Sequence, residues 1–585
     1  MSTKSGGEYI AESLAAEGVE VVFGIIDGSY FGLYSQLGIH GIRLITPRHE
    51  TSAVHMAGAY ARMTGRLGVA IASNGPGVAN ALPGVAVENG EGNRVLLITS
   101  WRRHGIVGPD RGGAYQYFDQ PAVIRPMSKW SEAALSFERL PELMRQAFRR
   151  SWRGRPGVVH LTVPEDVVNG QFEPVANSFD VEPVRYRRTS PLDASLELVE
   201  RAADLLIEAE RPLIHAGSGI LHAHATDELL EVARLLEAPV TTSWAGRDVI
   251  DERSRVAIPM WATDLVNQAR NDADLVLALG SRIGETDWWG KAPYWRRAVN
   301  QRMIQVDVDE EMLGVNKPVD LAIVADLKSF LSALAQVLAK RDLASLRATR
   351  AQRIDQYATA RSDARHALDG ALAATGSPLH SSHLAPACQE AFGDDAVLVI
   401  DGGNTAVWAN LYHEVRRPHS MLSTYKFGML GAGVAQALGA GVAAPDRRVV
   451  CITGDGAFGF HPQEIETAVR YNVPIVVLVA VDRAWGMVKV NQEFALNQEK
   501  LLSEGGLSDE ELINTELGEI RYDLMAESMG ARGYRASDAD GLRSALKEAR
   551  DCGGPAVVHV DVDRIAHKFA PSLLTFKEMH QEPAG

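Results

Sequence analysis

Cysteine is scarce. The 585 residues hold three (Cys388, Cys451 and Cys552), far apart and in no metal-ligand or redox spacing. That argues against a disulfide framework or a thiolate metal cluster and points to idle thiols in a reducing, cytoplasmic setting. Long apolar runs are missing too. No stretch approaches the ~18 apolar residues that a membrane-spanning helix needs. Residues 1–14 show no signal-peptide core, and the closing residues carry no peroxisomal or prenylation signal. Positive charge is in deficit: 59 Lys and Arg stand against 74 Asp and Glu, a net charge of −15. This excludes nonspecific nucleic-acid binding as the expected function, although a basic pocket can coexist with an acidic surface. Composition is otherwise that of a soluble globular protein, with 46% hydrophobic and 23% charged residues. The length suggests about three or four domains.

What is present is alternation. In the first 185 residues, apolar strand-like runs (19–24, 43–46, 67–73, 94–100 and 157–164) are separated by helical segments. Such alternation implies parallel β-α-β units. Residues 190–345 repeat the pattern, with a helix at 195–209 and apolar runs at 212–220, 273–280 and 303–309. Residues 346–377 are charged, Ala-rich and helical without a clear apolar seam, which reads as a connector. A third such unit covers 378–564, and 565–585 form a tail. The expected fold class is α/β, with three doubly wound parallel-sheet domains; the polar residues 175–195 read as a linker.

The stretch 451–487 carries the most chemistry. An apolar strand runs into Gly454-Asp455-Gly456, a helix follows, and a second buried strand (474–481) ends at Asp482. Two carboxylates thus sit at the carboxyl ends of two parallel strands, where open α/β sheets bind ligands. Small residues at 454–457 let backbone N–H groups approach a phosphate, and carboxylates beside phosphates suit Mg²⁺. Taken alone, the tripeptide also fits an ordinary strand–turn–helix.

The segment resembles the diphosphate-binding motif of thiamine-diphosphate (ThDP) enzymes. That family has an Asn 27 positions after the motif's Asp. Here the position is Asp482, so the spacing fits and the residue differs, keeping an oxygen ligand but adding a negative charge. The resemblance implies Mg²⁺ held by Asp455, Asp482 and the backbone carbonyl of Ala484, with Gly454, Gly456 and Ala457 around the diphosphate. Arg48-His49-Glu50 resembles the family's motif for the carboxyl that activates the aminopyrimidine, which assigns Glu50 as catalytic. Residues 427–439 resemble the segment that bends the cofactor, with Leu430 as the wedge. Ser73-Asn74-Gly75-Pro76-Gly77 resembles a turn near the thiazolium, with Asn74 in contact. Gly402-Gly403-Asn404-Thr405 resembles a turn meeting the diphosphate or pyrimidine.

Two stretches narrow the branch. Residues 115–129, including Gln116, Tyr117 and Met127, resemble oxalyl-CoA decarboxylases and 2-hydroxyacyl-CoA lyases more than acetolactate synthases, as does 457–474. In that branch the central domain holds ADP, and Gly217, Arg282 and Asp307 match its site; an empty site remains the alternative reading. Glu493 lies eleven residues past Asp482 and is assigned as general acid/base, with Gln492 and Met127 shaping an acyl pocket. The tail's Arg564, His567, Lys568 and Lys577, set among Phe569, Leu573, Leu574 and Phe576, read either as a cover for a CoA arm or as a frayed terminus. The implied activity is cleavage of a short 2-hydroxyacyl-CoA to formyl-CoA and a ketone or aldehyde. Oxalyl-CoA decarboxylation, acetolactate synthase-like carboligation and a silent ThDP-fold subunit remain open. The implied partners are an acyl-CoA substrate and further copies of the chain, a homodimer at least and a homotetramer by resemblance, with no nucleic acid or membrane. Glu50 of one copy would then face Asp455 of another.

Overall fold

The computed structural model describes residues 3–107, 110–173, 181–424, 426–508, 510–571, 573, 578 and 583. Of the expected linker, residues 175–180 lie outside the described residues, as do Leu574, Phe576 and Lys577 of the tail.

Runs of Val, Ile, Leu and Ala dominate the strands of the molecule. Continuous apolar character, rather than alternation, is what a strand covered on both faces requires. Among the described residues these runs assemble into three six-stranded sheets. Every neighbouring pair in them is parallel. The helices between strands cover both faces. A short antiparallel pair, Lys4–Ser5 with Gln171–Phe172, ties the start of the chain to the end of the first unit.

The first sheet contains Val21–Gly24, Arg43–Ile45, Gly68–Ala72, Val95–Trp101, Trp130–Ala133 and Val158–Pro164. In space the order is second, first, third, fourth, sixth, fifth. The third sheet (Val397–Ile400, Met421–Ser423, Val449–Gly454, Ile475–Val481, Arg532–Ala536 and Ala556–Asp561) has the same order. The central sheet runs third, second, first, fourth, fifth, sixth, with Pro212–Ala216 and Leu275–Leu279 side by side in the middle. In each sheet the strand order reverses between two adjacent strands, the first and third strands of the first and third sheets and the first and fourth of the central one, and there the loops after them diverge and leave a crevice. In the third sheet the crevice lies beyond Ile400 and Gly454. In the central sheet it lies beyond Ala216 and Leu279.

The first and third units pack through helix Glu50–Thr64 against helix Gly433–Ala443. Contact is close because Gly439 lacks a side chain: a Cβ there would lie 2.3 Å from the Met56 carbonyl oxygen. Helix Leu196–Glu208 starts where its capping residue predicts, the Ser195 hydroxyl accepting from the Leu198 N–H. The connector forms one helix, Ala344–Asp369, and its missing seam is a correction. Arg350, Ile354 and Tyr357 are buried along one face, and Arg350 donates to carbonyls that end two central-domain helices. Among the described residues, no helix is long and apolar enough to cross a membrane.

Candidate active site

The crevice of the third sheet is a cavity of about 340 Å³. Asp455 arrives at the end of strand Val449–Gly454 and Asp482 just after its parallel neighbour Ile475–Val481, as the strand pattern predicts. Both line the cavity, together with Gly403, Asn404, Thr405, Leu430, Gly454, Gly456, Ala457 and Ala484. Asp455 accepts from the N–H groups of Gly456 and Arg483, both at 2.8 Å, which fixes the carboxylate against the turn. Leu430 projects from a loop held by Asp401, whose carboxylate accepts from the Gly431 and Gly433 N–H groups at 3.0 and 2.8 Å.

The site's own chemistry tests its fit to a magnesium diphosphate. Burial, and then the adjacent Asp482 carboxylate, push the Asp455 carboxyl up to about 8. Two carboxylates forced together in a poorly hydrated site call for a cation between them. Asn404 is buried, yet neither polar atom of its amide has a hydrogen-bond partner, a costly state unless a ligand supplies one. A Cβ built on Gly486 would lie 2.6 Å from an Asp482 oxygen and 3.1 Å from the Asn404 amide nitrogen, so these two groups converge on one glycine. The Ala484 carbonyl oxygen faces Gly456, 3.7 Å from a Cβ built there. The donor set is hard oxygen beside an open amide, and it fits Mg²⁺ and a diphosphate.

No described residue of the first domain lines this cavity. Glu50 opens helix Glu50–Thr64, where a carboxylate is favoured by the helix dipole, and accepts from the Asn80 side-chain amide at 3.1 Å. Asn74 donates through its side-chain amide to the Gln116 carbonyl, and its backbone N–H donates to the Ser100 hydroxyl. Tyr117 stacks on Trp101 with 6.0 Å between centroids. Met127 packs against the core beside the first sheet. The structure thus gathers Glu50, Asn74, Gln116 and Tyr117 on the carboxyl edge of the first sheet. It does not bring them to Asp455 of the same chain.

Glu493 differs from expectation. It is 0% exposed and accepts from the Lys568 ammonium at 2.8 and 3.1 Å, away from the cavity lining. The reason is physical: helix Gly486–Glu504 turns this position inward, and a buried carboxylate requires a cation. Lys568 is therefore a counter-ion in this structure, not a group exposed to substrate. Gln492 is tied up as well, donating to the Ile513 carbonyl and accepting from the Ile513 N–H. His567, expected only as part of a cover for a CoA arm, is placed elsewhere. It lines the cavity from the tail, its ring facing the Ser381 hydroxyl at 2.6 Å and that of Thr405 at 3.3 Å. Its position in a basic tail was the only sequence signal, and that signal does not say where the tail lands.

A larger cavity of about 780 Å³ lies between the domains at the central sheet's crevice. Arg282 and Asp307 line it; Gly217 is set just behind, where a Cβ would lie 2.2 Å from the Gly280 carbonyl oxygen. Burial pushes the Asp307 carboxyl up to about 6. Arg94, Arg155 and Lys426, none of them predicted, supply further positive charge.

Comparison with known proteins gives the same division of the chain. Residues 4–123 match the N-terminal TPP binding domain of thiamine pyrophosphate enzymes, TPP being another name for ThDP. Residues 199–334 match their central domain and 401–560 their C-terminal TPP binding domain. The chain is 30% identical to the sulfoacetaldehyde acetyltransferase of Alcaligenes xylosoxydans xylosoxydans, over 93% of this chain and 90% of the relative. It is 29% identical to the acetolactate synthase large subunit of Haemophilus influenzae, over 97% and 96%. It is also 29% identical to the isozyme 3 large subunit of Escherichia coli, over 94% and 92%.

Proposed function

Since the chain belongs to the family of thiamine-diphosphate-dependent enzymes, we propose that it makes or breaks a carbon–carbon bond in a short 2-hydroxyacyl-CoA, with formyl-CoA and a ketone or aldehyde as the other side of the equilibrium. The observation carrying the cofactor reading is the convergence of Asp455, Asp482 and the unpartnered Asn404 amide at the third sheet's crevice. Asp455, Asp482 and the Ala484 carbonyl would hold Mg²⁺. Asn404, Thr405 and the glycines at 403, 454 and 456 would meet the diphosphate. Leu430, with Met429 beside it, would set the bend of the cofactor. Once bound, ThDP supplies a nucleophilic carbon and an electron sink for carbon–carbon chemistry.

The rest falls to the chain's own residues. Glu50, from a second copy, would hold a proton at the pyrimidine nitrogen. His567 and Met487 close one wall against water. Proton transfer at the substrate oxygen is assigned to Glu493, which starts about 10 Å along its helix from Gly486 at a rise of ~1.5 Å per residue. Its carboxylate is paired with the Lys568 ammonium of the tail, and a proton-transfer role requires that pair to open. The runs at 115–129 and 457–474 support the acyl-CoA substrate. An ADP in the interdomain cavity is part of the same reading, with Asp307 on the ribose and Arg282 on a phosphate. A cytoplasmic location is part of it too.

A second reading is favoured by the names of the relatives: carboligation of a 2-oxo acid such as pyruvate. Product analysis separates the two. The enzyme with ThDP and Mg²⁺ is offered 2-hydroxyisobutyryl-CoA, oxalyl-CoA or pyruvate in separate reactions. Acetone and formyl-CoA from the first are expected. Acetolactate from pyruvate without acetone would transfer the assignment to the second reading, and CO₂ from oxalyl-CoA alone to a decarboxylase.

A further inference from the structure

The two cavities share one loop. Lys426 lines the interdomain cavity, whereas Gly428, Met429 and Leu430 line the diphosphate cavity. The near end of the loop is tied to both other domains. The Lys426 ammonium donates to the Glu91 carbonyl at 3.1 Å and to the Ser218 hydroxyl at 3.2 Å. The Glu91 carboxylate accepts from the backbone N–H groups of Lys426 and Phe427 at 2.8 and 3.0 Å.

Thr424 braces the loop from its start. The Thr424 carbonyl accepts from the Phe427 and Gly428 N–H groups, and the Thr424 hydroxyl donates to the Met429 carbonyl at 3.0 Å. The far end is anchored at Gly431 by Asp401 and by His461, whose ring nitrogen lies 2.9 Å from the Gly431 carbonyl. Gly428 and Gly431 have φ of +70° and +90°, conformations suited to glycine, and they bracket Met429 and Leu430. A pull on Lys426 therefore passes through a hydrogen-bonded turn to the wedge, which pivots on a fixed Gly431.

Something pulls only if an anion enters. Arg155 and Arg282, which line the same cavity, place positive charge near Lys426, and the Glu91 carboxylate beside it is already engaged with two backbone N–H groups. Burial and the charges of Arg282, Arg155 and Arg62 lower the Lys426 ammonium's proton affinity, while Glu91 raises it. A phosphate would relieve this crowding of cations and draw the ammonium from Ser218.

We infer that Lys426 is a positioning residue that couples a phosphate-bearing ligand in the interdomain cavity to the placement of Leu430, and so to cofactor affinity. The inference rests on the reading of the third-sheet cavity as the ThDP site. By linkage, such coupling must also appear in the reverse direction. The test is calorimetric titration of ThDP into the full-length protein with saturating Mg²⁺, with ADP absent or saturating. Wild type, K426R, K426M, L430A and K426M/L430A are compared, each checked for folding by its melting temperature.

ADP is expected to change the wild-type Kd for ThDP by about fivefold or more. That change should survive in K426R and vanish in K426M, and K426M should add nothing to L430A. An undiminished ADP effect in K426M, or additive effects in the double variant, would overturn the coupling. So would ThDP binding by wild type that ADP leaves unchanged, and the cofactor site would then still stand. Failure of wild type to bind ThDP at all would remove the cofactor reading itself and the coupling with it.

Discussion

At the scale of single residues, Glu493 and Lys568 decide whether the proposed proton transfer has an agent. Each is nearly sealed from water, and together they form an ion pair between a helix that begins at the cavity and the tail. Removing one partner of a buried pair leaves a charge stranded, at a cost of about 3–5 kcal/mol, whereas replacing both with neutral residues of similar size is often neutral or stabilising. A simple Glu493→Gln variant would therefore confound catalysis with folding. The double variant Glu493→Gln/Lys568→Met separates them. Its unfolding midpoint is expected to match that of wild type, while turnover of the acyl-CoA falls by about 10²–10⁴, the range of a lost general acid or base. Wild-type turnover in that folded variant would reduce Glu493 to a counter-ion of the tail.

At the scale of elements, Ala344–Asp369 shows how far pattern reading reaches. Arg350, Ile354, Tyr357 and Arg361 recur at intervals of four, three and four, which is one face of a helix, but two of the four are arginines and register as polar. The work of Arg350 is capping. The Arg350 guanidinium donates to the carbonyls of Leu206, Ile207, Ala209 and Leu236, groups that the ends of two helices leave open. Arg350→Ala should cost about 1–3 kcal/mol, the desolvation of an orphaned acceptor, and Arg350→Lys should recover only part of it, since a point charge cannot span four carbonyls. Denaturant unfolding measures this; a loss below ~0.5 kcal/mol would place the arginine among ordinary surface residues. The strands were legible because doubly covered strands are continuous apolar runs. Asp455 and Asp482 were legible because a strand end and a small-residue turn are local. Their geometry relative to Glu493 was not, since facing inward or toward the cavity is decided by the tail. His567 is likewise joined to Thr405 across 162 positions of sequence, and nothing within a helical or strand period encodes such a contact.

At the scale of the whole molecule, the first and third sheets have the same strand order, and each gathers candidate site residues at its carboxyl edge. In one chain these edges are not shared: the diphosphate cavity is lined by third-domain and tail residues, and Glu50 stays with Asn80 on the first domain. A complete site would then need two copies related by a two-fold axis, each lending its first domain to the other's third. That arrangement makes a quantitative prediction. Glu50→Gln and Asp455→Asn proteins, each inactive alone, are dissociated, mixed in equal amounts and reassociated. Half of the resulting dimers are hybrids, and in each hybrid one site is intact while the other carries both lesions, so about a quarter of wild-type activity should return. Titration of one variant with the other should give a maximum at equal amounts. If the mixture stays inactive while size-exclusion and mass measurements show hybrids, Glu50 and Asp455 must act within a single chain, which requires the first and third domains to shift relative to each other before the coenzyme is gripped.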